Sequence, residues 1–336
     1  MRSTRGRRDR PGPREALDDV SPVPTLETLF EAGRRIAPHV RRTPVLTSRT
    51  FDDRCGGSLF FKCENFQRIG AFKFRGACNA VLSLSEEDAA KGVVTHSSGN
   101  HGQALALAAQ LRSIRAYIVM PETTSEVKKA AVAGYGAEII FCEASLESRE
   151  RCAARIIEEK GATLVHPYND YRIIAGQGTA ALELLDEVPD LDVLVTPVGG
   201  GGLLSGTALA AKGLSPRTDV VGVEPAGADD AYRSFQAGEI QPMHAPDTIA
   251  DGLLTTLGDK TFPIIRDHVR EIVTVSDPDI VEAMRLMWER MKIVVEASAA
   301  VPLAALLQGA LKTEGKRIGI IVSGGNVDLD RLPWRR

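Results

Sequence analysis

Short apolar runs alternate with longer amphipathic stretches from about residue 26 to the C-terminus. The runs are continuous and rich in β-branched residues, which is typical of parallel strands that are covered on both faces. The predicted strands are Leu59–Cys63, Val93–His96, Ala116–Met120, Glu138–Cys142, Leu164–His166, Val193–Pro197, Val220–Glu224, Ile272–Val275 and Ile318–Val322. The stretches between them predict helices, among them His101–Gln110, Leu146–Lys160, Ile174–Glu187 and Leu203–Lys212. This alternation predicts an α/β protein with doubly wound parallel sheets and right-handed crossovers.

The segment 281–295, VEAMRLMWERMKIVV, places its large apolar side chains on one helical face. These side chains are Val281, Met284, Met287, Trp288, Met291 and Val295. A methionine-rich face can bind a partner, but this spacing is more often typical of a helix packed on the core. We therefore expect a buried helical face here.

The composition is that of a globular protein. At 336 residues and 43% hydrophobic side chains, the chain is long enough for two domains with a substantial core. Its net charge of -3, from 41 basic and 44 acidic residues, gives no electrostatic reason to expect nucleic acid or an anionic membrane as a partner. No apolar run approaches the ~18 residues of a membrane-spanning helix. The five cysteines form no CxxC pair, which favours reduced thiols and a cytoplasmic location.

The first 24 residues are rich in arginine and proline and contain no apolar stretch. They therefore lack the hydrophobic segment of a secretory signal. Acidic residues such as Asp9 and Asp18 are atypical of an organelle-targeting peptide. We expect a disordered, solvated tail over residues 1–24.

Four consecutive glycines, Gly199–Gly202, separate the predicted strand Val193–Pro197 from the predicted helix that begins at Leu203. Without Cβ atoms, several backbone N–H groups can converge on one point in front of the helix N-terminus, which favours a phosphate. The pattern lacks the Lys-Ser/Thr of a P-loop and the glycine spacing of a dinucleotide-binding fingerprint. A tight turn without a ligand is the alternative interpretation, although one or two glycines suffice for such a turn.

Two further loops at predicted strand ends carry only small or polar residues. The first is THSSGNHGQ, from Thr95 to Gln103, at a strand-to-helix junction. Helix capping explains a shorter polar run, so the additional donors favour binding of a carboxylate or a ring oxygen. The second loop, SGGN at 323–326, follows the strand Ile318–Val322 at the sheet edge where doubly wound proteins bind ligands.

A lysine between two phenylalanines, Phe72-Lys73-Phe74, opens another predicted helix. Its side chain either extends to the surface or stays buried, and the spacing alone does not decide between the two. A buried amine with a lowered pKa is able to form a Schiff base. A phosphate loop, a buried lysine and a polar loop are together what pyridoxal phosphate requires for its phosphate, aldehyde and ring hydroxyl.

These motifs together resemble those of the fold-type II pyridoxal-phosphate enzymes, and among them the serine racemases and catabolic serine/threonine dehydratases. The matching stretches are ENFQ at 64–67, GAFKFRG at 70–76, SSGNHGQ at 97–103, AGQGT at 175–179, GGGG at 199–202, IADG at 249–252, WERMK at 288–292 and SGGN at 323–326. The resemblance implies a tryptophan synthase β-like fold of two doubly wound open sheets. In that fold a small mobile domain, residues 90–168, is inserted into a large pyridoxal-phosphate-binding domain, residues 25–89 and 169–336.

The resemblance also implies roles for individual residues. Lys73 corresponds to the Schiff-base lysine, Asn100 to the partner of the ring hydroxyl, and Ser323 to the residue that faces the pyridine nitrogen. The residues implied in cofactor binding are Phe72, Lys73, Asn100, Gly199, Gly200, Gly201, Gly202, Leu203 and Ser323. Those implied in substrate binding are Ser97, Asn100, His101 and Arg149.

Ser98 and Arg149 bear on the reaction and the substrate. In serine racemases a serine at the position of Ser98 faces the substrate opposite the lysine, so that a proton can leave one face of Cα and return on the other. Simple dehydratases of the family commonly carry alanine there. Arg149 resembles an arginine that closes over the substrate, where it would bind a second carboxylate in bidentate fashion. An ion pair on the surface of a charged helix is the alternative interpretation of Arg149.

A divalent cation is the second ligand that the resemblance implies. Glu224, Ala228 and Asp230 match the family's cation site. Two carboxylates with a carbonyl are hard oxygen ligands suited to Mg²⁺ or Ca²⁺. Without the resemblance, acidic residues at a strand end are more often simply solvated.

The chain departs from the animal racemases at several positions. Tyr168 stands where those enzymes carry asparagine, and bacterial and fungal dehydratases tend to carry an aromatic residue. Ile69 and Ala71 replace the threonine and serine that lie near the nucleotide activator of the animal enzymes. These replacements put regulation by ATP in doubt.

The resulting prediction is a pyridoxal-phosphate-dependent serine racemase and L-serine and L-threonine ammonia-lyase, cytoplasmic and homodimeric. Its products would be D-serine, or a 2-oxo acid and ammonia. The alternative is a threo-3-hydroxyaspartate ammonia-lyase. A β-replacement enzyme of the cysteine synthase type is more distant, because its polar loop usually carries threonine where this chain has His101. A non-catalytic phosphate-binding module would leave Lys73 and Ser323 unexplained.

Overall fold

The computed structural model describes residues 22–334. The expected disordered tail, residues 1–24, lies outside the described residues except for its last three positions. The strands are β1 (Val45–Thr47), β2 (Ser58–Cys63), β3 (Val93–Thr95), β4 (Ala116–Pro121), β5 (Glu138–Cys142), β6 (Thr163–Leu164), β7 (Val193–Pro197), β8 (Asp219–Pro225), β9 (Glu271–Val275) and β10 (Arg317–Val322).

The α-helices lie between these strands and at the start of the described chain. They are α1 (Leu26–Ile36), α2 (Arg49–Cys55), α3 (Lys73–Leu82), α4 (Glu86–Lys91), α5 (Asn100–Arg112), α6 (Glu126–Gly134), α7 (Leu146–Lys160), α8 (Tyr171–Glu187), α9 (Gly202–Leu214), α10 (Asp230–Ala237), α11 (Thr261–His268), α12 (Asp277–Leu286) and α13 (Ala297–Leu307). Short 3₁₀ turns cover Glu64–Phe66, Arg68–Gly70, Ala226–Ala228 and Asp251–Leu253, and a π-helical turn covers Met287–Met291.

The strands form two sheets. The larger has the order β1-β2-β10-β7-β8-β9, in which β1 runs antiparallel to β2 and the other neighbours are parallel. The smaller has the order β5-β4-β3-β6 and is parallel throughout. The predicted α/β fold class with two sheets is therefore confirmed. All strands of the smaller sheet come from residues 93–164, and the chain before and after them forms the larger sheet.

Two strands differ from the prediction. Strand β1 is not predicted, because three residues are too few to show a periodicity. The predicted strand Leu164–His166 overlaps β6 only at Leu164. The chain turns after β6 because the ring nitrogen Nδ1 of His166 accepts the backbone N–H groups of Tyr168 and Asn169, at 3.3 and 3.0 Å.

The larger sheet is covered on both faces, as its continuous apolar runs predict. Along β7, Val193 and Val195 pack into a core with α2, α12 and α13. Leu194, between them, packs into a second core with α1, α8, α9 and α11. Successive strand residues thus enter opposite cores, and neither face of the sheet is left to water.

Helix α8 lies between α3 and α9, and two glycines allow this close packing. A Cβ atom at Gly176 would lie 2.6 Å from the Cα of Gly76 on α3, and one at Gly178 would lie 2.8 Å from the carbonyl oxygen of Gly206 on α9. These contacts give a packing reason for the AGQGT stretch at 175–179. They also fix α3, which begins at Lys73 and packs on α5 as well, relative to both sheets.

Most apolar side chains of the methionine-rich segment 281–295 pack on the core as predicted, but the segment is not one helix. Helix α12 ends at Leu286, the π-helical turn Met287–Met291 follows, and Lys292 is left-handed with φ 60°. Met284, Met287 and Val295 are buried in the core of the larger sheet. The prediction of core packing is therefore confirmed, whereas the continuous helical face is wrong beyond Leu286.

Two further expectations concern the cysteines and membrane-spanning helices. Cys55, Cys63, Cys78, Cys142 and Cys152 are all unpaired, as the sequence predicts. Across residues 22–334, no helix has the length and apolar character that a membrane span requires.

Candidate active site

Three loops that follow the C-terminal ends of parallel strands carry the predicted site residues. The glycine loop joins β7 to α9, the polar loop 96–99 joins β3 to α5, and Ser323 follows β10 directly. Ligands of open α/β sheets bind at this end of the strands. The glycine loop and Ser323 belong to the larger sheet and the polar loop to the smaller one, so the candidate site uses both.

Lys73 is the first residue of α3, and the chain before it is attached to the end of β10. The N–H of Phe72 donates to the carbonyl oxygen of Ser323 at 2.9 Å, and Ala71 forms an isolated β-bridge with Gly324. The Lys73 amine donates to the carbonyl oxygen of Pro167 at 2.8 Å. The backbone at Lys73 is therefore anchored to the larger sheet, and its amine contacts the segment that follows the smaller sheet.

The surroundings of the Lys73 amine favour its neutral form. Burial lowers the pKa of this amine to about 8, against the opposing effect of the Glu296 carboxylate. The amine also lies over the ring of Phe72, 5.3 Å from the centroid. A lysine that can lose its proton near neutral pH is able to attack an aldehyde. The half-buried amine with its lowered pKa thus favours the reactive interpretation of Lys73 over a surface lysine.

The glycine loop has no room for side chains. Gly201 has φ +85°, a left-handed conformation that glycine adopts without strain. A Cβ atom at Gly200 would overlap the ring of Tyr168, and one at Gly199 would lie 3.0 Å from the Cα of Leu253. Gly202 begins α9, so the loop presents its backbone in front of a helix N-terminus. Backbone donors at such a position suit a phosphate group.

The polar loop leads into α5, whose first residue is Asn100. The Nδ2 of Asn100 donates to both carboxylate oxygens of Glu296, at 3.0 and 3.1 Å, and its Oδ1 accepts from Nδ2 of Asn326 at 2.8 Å. Ser97 and Ser98 are half-buried just before the helix, and the hydroxyl of Ser97 accepts the N–H of Gly99 at 3.4 Å. Asn100 thus joins the polar loop to the residues around β10.

His101 is buried beside Lys73. Its Nε2 lies 3.1 Å from the carbonyl oxygen of Val165, and its Nδ1 is buried without a hydrogen-bond partner. Burial, together with the nearby Lys73 charge, holds the pKa of His101 well below its ordinary value. Because the ring is directed at Val165, the predicted contact of His101 with a substrate carboxylate would fall to its backbone N–H near the N-terminus of α5.

His96, His166 and Tyr168 form an aromatic cluster that the sequence alone does not predict. His166 packs edge-to-face on His96 and on Tyr168, with ring centroids 5.5 and 4.6 Å apart. Burial lowers the pKa of His166 to about 4, and the charges of His96 and Lys73 act in the same direction. These effects favour the neutral form of His166, and through Tyr168 the cluster packs directly on the glycine loop.

Arg149 lies in the first turns of α7 and is half-buried. Its Nε is buried and has no hydrogen-bond partner among the described residues. Its charge contributes to a lowered pKa of His96, behind the larger effect of burial, which places Arg149 near the aromatic cluster. Arg151, two residues on, instead pairs with Glu147 at 3.5 Å on the surface. The surface ion pair considered for Arg149 is thus made by its neighbour.

The predicted cation ligands lie together at the end of β8. The Glu224 carboxylate accepts the N–H groups of Ala231 and Tyr232, at 3.0 and 2.8 Å. Both carboxylate oxygens of Asp230 are buried without a partner, and Ala228 is buried in the adjoining 3₁₀ turn. Burial raises the pKa of Glu224 to about 9 and that of Asp230 to about 7.

These cation ligands fit a divalent cation through two carboxylates and a carbonyl. Within residues 22–334, no cluster of three or more histidine, cysteine, aspartate or glutamate side chains is arranged around a common point. A cation at β8 would therefore depend on the carbonyl oxygen of Ala228 for its third protein ligand.

Several residues of the site have no sequence signal of their own. Glu296 contacts Asn100, Pro167 contacts Lys73, and His166 packs on Tyr168. Each of the three stands in a stretch that resembles an ordinary strand or helix boundary. Of these, only His166 has a weak signal, since it follows a predicted strand at the same sheet edge as the polar loop. The others become visible only once the chain is folded.

The candidate site thus combines a half-buried lysine amine, a glycine loop in front of a helix, a polar loop and a serine at strand ends. This combination suits pyridoxal phosphate. Residues 36–324 match the family model described as "Pyridoxal-phosphate dependent enzyme", and the chain belongs to this family.

Characterised relatives extend over nearly the whole chain. It is 54% identical over 312 residues to the beta-hydroxyaspartate dehydratase of Paracoccus denitrificans, covering 93% of this chain and 99% of that protein. It is 52% identical over 310 residues to the L-threo-3-hydroxyaspartate ammonia-lyase of Saccharomyces cerevisiae, covering 92% and 95%. The crystal structure of serine racemase from Dictyostelium discoideum superposes with a TM-score of 0.88 at 52% identity, covering 91% and 99% of the two chains.

Proposed function

We propose that this enzyme is a serine racemase and an ammonia-lyase for small β-hydroxy amino acids, which forms D-serine from L-serine and a 2-oxo acid plus ammonia from L-serine or L-threonine. One observation carries the proposal: the Lys73 amine, with a pKa lowered to about 8, donates to the Pro167 carbonyl next to the smaller sheet and lies near His101, three residues after Ser98. The named relatives catalyse racemisation or ammonia elimination, which supports the same reaction class.

The described residues fit pyridoxal phosphate at each of its polar groups. Lys73, flanked by Phe72, would bind the aldehyde, Asn100 the ring oxygen and Ser323 the pyridine nitrogen. Gly199, Gly200, Gly201, Gly202 and Leu203 would hold the phosphate through their backbone. When bound, the cofactor supplies an electron sink for the carbanion at Cα. Because Ser323 offers a hydroxyl where an acid would protonate the ring nitrogen, it would leave that nitrogen largely neutral.

Proton transfer is the task of the protein's own side chains. Ser97, Asn100 and the backbone of His101 would hold the substrate carboxylate at the N-terminus of α5. Lys73, displaced by the substrate amine, would take the Cα proton. Loss of the β-hydroxyl then leads, after hydrolysis, to the 2-oxo acid and ammonia. If Ser98 returns a proton on the opposite face before the hydroxyl leaves, the D-enantiomer results.

Substitution of Ser98 tests whether this residue serves racemisation more than elimination. We expect Ser98→Ala to lower the rate of L-serine racemisation by about 10²-fold or more, since it removes one of two proton-transfer groups, and to lower elimination by less than about 10-fold. D-serine and pyruvate are measured in the same sample, so elimination serves as the internal control. An equal loss of both products would contradict the role of Ser98.

Threo-3-hydroxyaspartate is a second candidate substrate, and the unpartnered Nε of Arg149 favours it. A second carboxylate would accept hydrogen bonds from this guanidinium, whereas serine has no group to do so. We expect Arg149→Ala to lower kcat/KM for L-threo-3-hydroxyaspartate by about 10-fold to 100-fold, the effect of losing a charge-assisted hydrogen bond, and to affect serine far less. Arg151→Ala, on the same helix, is the matched control. A similar loss with both substrates would refute recognition of a second carboxylate.

We also propose Mg²⁺ or Ca²⁺ at Glu224, Asp230 and the carbonyl oxygen of Ala228, supported by the two unpartnered Asp230 oxygens. Millimolar Mg²⁺ or Ca²⁺ should raise Tm by roughly 5 °C when it exceeds the Kd about 100-fold. Asp230→Asn should remove this effect, while the control Asp229→Asn, at a half-buried residue paired with Arg233, should retain it. A cation effect that survives Asp230→Asn would place the cation elsewhere.

The remaining expectations concern assembly and location. We propose a cytoplasmic homodimer whose small domain, residues 90–168, closes over the substrate. The unpaired cysteines and the net charge of -3 support a reducing compartment and a small-molecule substrate, with neither nucleic acid nor membrane as a partner. Light scattering that gives the mass of a single chain would contradict the dimer.

A further inference from the structure

The amide of Asn100 is held at both of its ends. Its nitrogen donates to the Glu296 carboxylate, at 3.0 and 3.1 Å, and its oxygen accepts from the Asn326 amide nitrogen at 2.8 Å. The Asn326 nitrogen also donates to the carbonyl oxygen of Ile69 at 2.7 Å, which fixes the orientation of the Asn326 amide. The three side chains thus form a chain of hydrogen bonds in which each amide has one defined orientation.

Glu296 lies close to this amide. It precedes α13 and is 7% exposed, and its backbone N–H donates to the carbonyl oxygen of Gly324 at 3.1 Å. A Cβ atom at Gly324 would lie 2.6 Å from a Glu296 carboxylate oxygen, so a glycine is needed there for the carboxylate to fit. Burial raises the pKa of Glu296 to about 7, and the hydrogen bond from Asn100 counters this effect. The carboxylate is therefore kept in an unfavourable environment next to Asn100.

We propose that Glu296 and Asn326 are positioning residues that hold the Asn100 amide with its nitrogen, and not its oxygen, toward the ring oxygen of pyridoxal phosphate. The inference rests on the proposed function, in which Asn100 contacts that ring oxygen. Neither Glu296 nor Asn326 has to touch the cofactor, since both act through Asn100.

The physical reason is the cost of turning the amide over. A flipped Asn100 would direct its oxygen at the Glu296 carboxylate and its nitrogen at the Asn326 nitrogen, so that two hydrogen bonds would be replaced by two repulsive contacts. With the nitrogen facing the ring oxygen, an N–H donor stabilises that oxygen without its proton. With the amide oxygen there, an acceptor would favour the protonated ring hydroxyl. The orientation therefore decides where the proton shared between the ring oxygen and the Lys73 nitrogen resides.

The absorbance spectrum of the holoenzyme reports this proton directly. The tautomer with the proton on nitrogen absorbs at longer wavelength than the one with the proton on the ring oxygen, and the ratio of the two bands measures their populations. A purely structural role of Glu296 would change stability or cofactor retention without changing this ratio.

The test moves the charged hydrogen-bond acceptor from the nitrogen end of the Asn100 amide to its oxygen end. In Glu296→Gln, Asn326 still orients Asn100 and the new amide can still accept from it, so the band ratio should stay within about 2-fold of the wild type. In the double variant Glu296→Gln/Asn326→Asp, the carboxylate lies at the opposite end of Asn100, and the long-wavelength fraction should fall by about 10-fold as the amide flips. A single variant as strongly shifted as the double one would mean that the charge of Glu296, and not amide orientation, sets the spectrum.

A milder variant covers the case in which the double variant does not fold. Asn326→Ala removes the donor to the Asn100 oxygen without adding charge, and it should lower the band ratio by about 3-fold while the cofactor stays attached. An unchanged ratio in Asn326→Ala overturns the inference. Failure of the proposed function has a different signature, because wild-type protein would then carry no cofactor that borohydride reduction fixes on Lys73.

Discussion

Replacing Lys73 with alanine will abolish covalent attachment of pyridoxal phosphate and lower both racemisation and elimination by at least about 10⁴-fold. The expectation follows from the position of the amine, which donates to the Pro167 carbonyl and whose pKa burial lowers to about 8, so that it can lose its proton near neutral pH. Attachment is measured by borohydride reduction and mass spectrometry of the peptide that contains Lys73, and activity by oxo acid and enantiomer production.

Lys91→Ala is the matched control for this variant. Lys91 lies on α4, where it pairs with Glu87 at 2.8 Å on the surface, and its loss should leave both activities unchanged. Circular dichroism of the Lys73→Ala protein should match that of the wild type, because the Lys73 side chain is not part of a hydrophobic core. Retention of the cofactor absorbance and of activity by Lys73→Ala would remove Lys73 from the mechanism.

The second large effect is expected from Arg75, two residues further along α3. Its guanidinium is fully buried and contacts two carboxylates, Glu64 at 2.7 Å and Glu183 at 2.8 Å. Although burial lowers it, these two carboxylates raise the pKa of Arg75 above its ordinary value. Arg75→Met should lower the free energy of unfolding by about 3–5 kcal/mol, because Glu64 would be left as a buried charge without its partner. Urea unfolding followed by fluorescence measures this loss.

Two further variants show whether the loss comes from the unpaired carboxylate. Adding Glu64→Gln to Arg75→Met should restore part of the stability, since the remaining amide carries no charge. Arg34→Met removes the same side chain from an exposed pair with Glu27, where both residues are more than half exposed, and should cost less than about 1 kcal/mol. Equal losses for Arg34→Met and Arg75→Met would mean that burial of the ion network contributes nothing.

The parts of the fold that could be predicted are those with a local pattern. Continuous apolar runs predict the buried parallel strands, because every residue of such a strand meets a core on one face or the other, as Val193 and Leu194 do. The short edge strand β1 and the π-helical turn Met287–Met291 have no such pattern. The turn keeps its apolar residues buried while the backbone leaves the α-helix, so the hydrophobic periodicity extends past the point where α12 ends.

The same distinction between local pattern and distant contact applies to the candidate site. The positions of the glycine loop and Ser323 could be predicted because loop chemistry at a strand end is visible in a few neighbouring residues. For Lys73, the local sequence leaves open whether the side chain is buried, and only the folded chain decides this. Glu296 could not, since its partner Asn100 is 196 positions away in the chain. Arg75 could not be distinguished from a surface arginine either, as its partner Glu183 is 108 positions away.

Incubation of the purified holoenzyme with L-serine in deuterium oxide tests the central claim most directly. The account predicts two products from the same protein: pyruvate with ammonia, and D-serine that carries deuterium at Cα. Deuterium at that position shows that the Cα proton was removed and that a proton returned on the other face. A holoenzyme that carries its cofactor on Lys73, yet forms neither product from L-serine nor an oxo acid from L-threonine or L-threo-3-hydroxyaspartate, would contradict the account.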